Sequence, residues 1–240
     1  MRVPLAAYLL LIVSARLVPA QAQTATCLDV ADEPHHQLLF QNQDARVFLL
    51  ELPRLASTKS HCNSHPYLYI VAGQGRSSNT VEGQATISRD WDGPEARFIY
   101  SPKTLVIRNE SINPFRELIV ETMHGAQYNS WDGNYDSDLF PLDPERADPG
   151  DFKPTWTVSF SRGALTASKT QLAPCAELSV SSPNHVLLAV TDLDLRKQGP
   201  DGSDLAVQLS AQEVKILPGG SEFKLTNSGQ RPAKFILVEF

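Results

Sequence analysis

The chain has 240 residues, 42% of them hydrophobic, and carries 27 acidic against 21 basic side chains for a formal charge of −6. That length supplies one large or two small domains with packed cores. An acidic chain without a basic run lacks the positive surface that releases phosphate counterions, which speaks against nucleic acid and anionic membranes as partners.

The first 22 residues carry a targeting pattern. Arg2 precedes an apolar run from Leu5 to Val13, and Ala20-Gln21-Ala22 follows as a small-x-small cleavage site. The run is too short to span a bilayer, which takes about 20 residues. Residues 1–22 are therefore expected to be a cleaved signal peptide. The mature protein is expected to be secreted or periplasmic, with no stable membrane insertion. Removing Arg2 and Arg16 moves its charge from −6 to −8. Three cysteines remain, Cys27, Cys62 and Cys175. An oxidising compartment permits one disulfide plus a buried thiol, or three buried thiols, and spacing does not choose the pair.

After a leader at 23–33, strand signals dominate. Arg46–Leu52 ends at Pro53, and Tyr67–Ala72 is closed by Gly73 and Gly75. Ala85–Ser88 and Arg97–Tyr100 flank the Asp92-Gly93-Pro94 turn, and Thr104–Arg108 and Glu117–Thr122 flank a turn-rich connection at 109–114. Residues 124–154 are rich in Asp, Pro and Gly and read as a linker. Strands are then expected at 156–161, 165–172, 185–195, 205–209, 214–217, 223–226 and 234–240. Many short strands and no sustained helical periodicity indicate a sandwich or barrel.

A constant offset of 118 residues relates the two halves. It aligns Asn109 with Asn227, Pro114 with Pro232, Phe115 with Ala233, Glu121 with Glu239, and YLYIVA (67–72) with HVLLAV (185–190). Two separated blocks on one offset indicate a duplicated unit, at 34–123 and 155–240.

Other features have plain readings. His35 and His36 point to opposite faces of a strand and read as a surface pair, although one could turn inward near His61. Asp132, Asn134, Asp136, Asp138 and Asp143 have calcium-loop spacing, but Ser137 stands at the turn-glycine position, so the segment reads as a solvated acidic loop. Trp91, Trp131, Trp156, Tyr67, Tyr69 and Tyr100 read as core or as pocket lining. Asn109-Glu110-Ser111 is a glycosylation sequon.

The segments PHHQLLFQNQDARVFLLEL (34–52), HCNSHPYLYIVAGQG (61–75), RNESINPFRELIVE (108–121) and ILPGGSEFKLTNSGQRPAKFILVEF (216–240) resemble the cupin superfamily of RmlC-like jelly rolls. In two copies they resemble a small exported bacterial bicupin. The resemblance implies an all-β fold of two tandem cupin-type antiparallel barrels joined by the acidic linker. It does not select a reaction, because cupins host many.

The family's metal is held by three imidazoles and a carboxylate inside the barrel. Carried onto this sequence, its slots fall on His61, Asn63, Tyr67 or Leu68, and Leu105 in the first unit. In the second they fall on Ser179, Ser181, His185 or Val186, and Phe223. One ligand survives in each unit. His65 could join His61 only through a turn at Asn63-Ser64, since strand residues four apart lie about 13 Å from each other. The expectation is a non-catalytic module with degenerate metal sites and no cofactor, which binds a small polar ligand or serves a structural role. The alternative is a metal-dependent enzyme of oxygenase or isomerase type, with a divalent transition metal in the first unit on His61 and on His65 or His36. The remaining slot residues then line candidate pockets.

Overall fold

The computed structural model describes residues 27–100, 103–123, 138–140, 155–162, 165–181, 184–217 and 222–240. Residues 1–22 and most of the expected linker lie outside these, as do Trp131 and four of the five calcium-loop positions.

The described residues form strands throughout, apart from a 3-10 turn at Val30–Asp32. The first unit holds β1 (Leu28–Asp29), β2 (His36–Gln41), β3 (Ala45–Leu52), β4 (His61–Asn63), β5 (Tyr67–Val71), β6 (Gly75–Val81), β7 (Ile87–Trp91), β8 (Glu95–Ile99), β9 (Lys103–Asn109), β10 (Phe115–Thr122) and β11 (Asp138–Phe140). The second holds β12 (Thr155–Arg162), β13 (Leu165–Leu172), β14 (Glu177–Val180), β15 (His185–Ala189), β16 (Leu193–Gln198), β17 (Asp204–Leu209), β18 (Val214–Leu217), β19 (Phe223–Asn227) and β20 (Ala233–Glu239). Sheet β1-β4-β9-β6-β7 faces sheet β11-β8-β5-β10-β3-β2 in the first jelly roll, and β12-β13-β20-β15-β18 faces β14-β19-β16-β17 in the second.

Three expectations change. Gly75 opens β6 instead of closing β5, because GRSSNTV pairs along its full length despite its weak apolar alternation. The single strand expected at 185–195 is β15 and β16, in different sheets. Residues 138–140, placed in the linker by composition, pair with β8 at the sheet edge.

Three cores follow from period-two alternation. Phe48, Leu50, Tyr69 and Ile119 fill the first barrel, and Leu187, Leu195, Leu225 and Phe235 fill the second. The opposite faces of the same strands form a third core, in which Val47, Leu68, Ile70 and Val120 meet Val186, Leu188, Ile236 and Val238. Phe40 and Phe240 meet edge to face in this seam, their ring centroids 5.4 Å apart. Strands covered on both faces read as unbroken apolar runs, as YLYIVA and HVLLAV do.

The duplication extends to single hydrogen bonds. Asn109 donates from Nδ2 to the carbonyls of Leu52 and Asn113, and accepts from Ser111 N at Oδ1. Asn227 donates to Leu172 and Arg231, and accepts from Gly229 N. Leu55 and Cys175 take the same left-handed backbone, with φ of 58° and 63°. The Asn109 side chain is fully buried and bonded, so its sequon cannot carry a glycan.

Removing either amide strands two or more buried carbonyls. Asn109→Ala and Asn227→Ala should each lower unfolding free energy by about 1–3 kcal/mol, with similar values at the two sites, in denaturant titrations.

Candidate functional site

The first barrel interior is approached by a strap at residues 27–35. Cys27 is disulfide-bonded to Cys62, and β1 pairs in parallel with β4, placing Leu28 beside His61. Cys175 is the free thiol and is exposed, not buried as expected.

Glu33, on the strap, organises the histidines. Its carboxylate accepts from His36 Nδ1 at 2.8 Å, His35 Nδ1 at 3.1 Å, His35 N at 2.8 Å and Lys59 N at 3.1 Å. Burial opposes its ionisation, but these hydrogen bonds outweigh burial and hold its pKa at about 2. An ionised carboxylate only accepts, so His36 carries its proton on Nδ1 and turns a bare Nε2 inward. His61 donates Nδ1–H to the Lys59 carbonyl at 2.9 Å and has the same tautomer. Neither Nε2 has a partner among the described residues. The two rings lie 4.7 Å apart, and burial together with His61 pushes His36 down to about 4. The expected surface pair is thus divided. His35 stays half-buried, while His36, on the inward face of β2, is the imidazole that His61 meets.

Two carboxyls on β10 also point inward. Glu121 accepts from Arg46 Nε at 2.8 Å, and Arg46 Nη1 donates to Asp29 on the strap at 3.0 Å. Burial raises Glu121, and the guanidinium offsets part of that rise. Glu117 has no hydrogen-bond partner among the described residues, and burial alone lifts it to about 8. It stands one strand over from Leu50, which faces His36 across β2 and β3.

The sequence-derived positions separate into two groups. His61, Asn63, Tyr67 and Leu105 are buried in the first barrel, with Leu105 directly opposite His61. His65 is half-buried beyond β4, near enough to Asp29 to act on its charge. In the second barrel His185 and Phe223 are buried and meet edge to face at 5.1 Å, with Lys197 Nζ 4.4 Å from the Phe223 ring centroid. Ser179 and Ser181 are exposed and line no interior. The reason is register. Leu105 faces His61 and Phe223 faces Val180, so the β4 and β14 equivalents are 119 residues apart, not 118. A slip of one residue moves every side chain to the other face of a strand.

The donor set does not fit the family's metal. Leu105 and Phe223 place apolar groups where its last imidazole would stand. Among the described residues no group of three His, Cys, Asp or Glu side chains could hold an ion. The residues that sequence reasoning missed are Glu33, Arg46 and Glu117. An inward turn of one of the His35-His36 pair near His61 was open as the less favoured alternative, and the structure assigns it to His36. FRELIVET carried a usable signal, since Glu117 and Glu121 stand four residues apart and so share one strand face with Phe115 and Ile119.

Glu117 gives a pH test. Its pKa is about 8 folded against an ordinary 4.5, so its contribution to stability is full below 4.5 and is lost as pH rises through 8. Glu117→Gln removes that loss. Thermal melts should match the parent near pH 4 and exceed it by several degrees at pH 8. A difference in Tm that does not vary with pH would mean that Glu117 is ionised in the fold.

No family model matches the sequence, and no curated protein matches it. Solved structures do. A cupin 2 conserved barrel domain protein from Leptotrichia buccalis superposes with a TM-score of 0.56 at 11% identity, over 85% of this chain and 87% of that one. AerE from Microcystis aeruginosa gives 0.58 at 9% identity, over 86% and 92%. Oxalate decarboxylase from Bacillus subtilis, a protein with Mn(II) centres, gives 0.55 at 10% identity, over 82% and 68%. With its two jelly rolls back to back, the chain has the cupin fold in tandem.

Proposed function

We propose that this protein is an exported two-barrel cupin-fold module that binds a small polar ligand in its first barrel and has given up its fold's usual metal chemistry. The observation that supports this most is Leu105, buried directly opposite His61 where a third ligand would have to come from. The second barrel is packed around His185 and Phe223 and serves as a partner to the first. Export is supported by the apolar run at 5–13 with its cleavage pattern, and by a disulfide joining Cys27 to Cys62.

One observation favours a second reading. Two bare Nε2 atoms on rings 4.7 Å apart suit adjacent ligands of a transition metal, each oriented by a bond at Nδ1. Two imidazoles alone hold such an ion weakly, because affinity depends on ligand number.

Metal analysis of protein purified without chelator separates the readings. The binding module should contain far less than one transition metal per chain. His61→Ala should leave that content unchanged and cost about 1 kcal/mol of stability. One equivalent of Fe, Mn, Ni, Cu or Zn, lost in His61→Ala or His36→Ala, would establish the metal-dependent reading instead.

A further inference from the structure

The mouth of the first barrel holds groups that the histidine pair does not use. A cavity of about 250 Å³ opens between β5 and β8 on one sheet and β6, β7 and β9 on the other. Tyr67, Tyr69, Trp91 and Leu105 are among its lining residues, and the cations Arg89, Arg97 and Lys103 line it as well. The aromatic wall is held in place. Trp91 donates its indole N–H to Ser77 Oγ at 2.9 Å and meets Tyr69 edge to face at 6.5 Å. Arg89 lies 5.3 Å from the Trp91 ring centroid.

Charge at the cavity is unbalanced. Arg97 places Nε and Nη2 at 2.8 and 2.7 Å from Glu95 Oε1. Arg89 Nη1 reaches the same oxygen only at 3.5 Å, the outer limit of a hydrogen bond. Two guanidinium groups thus share one carboxylate, and Arg89 is the less committed of them. Glu117, opposite Val71 on the neighbouring strand and neutral below about pH 8, adds no full negative charge at physiological pH. A planar guanidinium held against an aromatic wall suits a carboxylate, which it can meet with two parallel N–H bonds, attached to a flat apolar body. The volume is below the roughly 300–1,000 Å³ of drug-sized sites, which limits that body to about one ring.

We propose that this cavity binds a small organic anion, a carboxylate on a single flat ring, with the ring against Tyr69 and Trp91 and the carboxylate on Arg89. The proposal rests on the reading of the first barrel as a ligand-binding module, and it names the ligand class.

Calorimetric titration of the purified protein with benzoate, and with benzamide as its neutral counterpart of the same shape, tests it. Benzoate should bind saturably, and benzamide at least about tenfold more weakly. Arg89→Gln should weaken benzoate about tenfold and leave benzamide unaffected. Arg89 is partly exposed, and a thermal melt confirms that the variant folds. Equal binding of the two compounds, or full benzoate affinity in Arg89→Gln, overturns the anion assignment while the binding module stands. No saturable binding of either compound overturns the anion site and counts against the binding module as well.

Discussion

Strands β5, β10, β15 and β20 are buried on both faces, and a strand of that kind must be covered twice. One face is covered inside its own barrel and the other by the neighbouring barrel, through Leu68, Ile70 and Val120 against Val186, Ile236 and Val238. Neither inner sheet could face water without exposing a contiguous apolar surface. The seam therefore occupies one face of each inner sheet and leaves only the face inside its own barrel for polar groups. Among the described residues the buried ionisable side chains inside the first barrel include His36, Arg46, His61, Glu117 and Glu121, and the second barrel holds His185.

The two barrels have diverged within this frame. The second is closed by Phe223 against His185, with Lys197 over the ring. The first retains buried polar atoms that a stability-driven core would not keep, among them His36 Nε2, His61 Nε2, Asn63 Oδ1 and Glu121 Oε1, which have no partner among the described residues. In the second, only the two ring nitrogens of His185 are in that state among the described residues. Buried polar groups of this kind cost stability unless something satisfies them. Their number distinguishes the interior of the first barrel from that of the second.

Much of the architecture was legible in the chain itself. Asn109 and Asn227 could be matched from sequence because the same turn requires the same side chain in both copies. Apolar runs such as YLYIVA marked the strands buried on both faces. The site was harder to read. The sequence favours a surface pair at His35-His36 and leaves open that one turns inward, because the choice depends on Glu33, three residues before His36, which no local pattern marks as a buried acceptor. Ser179 was placed on the wrong face because the loops before β4 and β14 differ in length, and a uniform offset cannot follow a local change. The cavity is assembled from β5 to β9, and no local spacing reveals which of their aromatic and arginine side chains share a wall.

The Cys27–Cys62 bond also sets the mechanical path through the molecule. A pull on the chain ahead of Cys27 is carried covalently to Cys62 and so to β4, bypassing the hydrogen bonds of β2 and β3. The load enters β4 at Cys62, next to His61, and passes on through Asn63 toward β5. At the other end Phe240 is anchored in the seam between barrels. Tension applied at Cys27 therefore bypasses residues 28–61 and enters the first barrel beside its histidine pair.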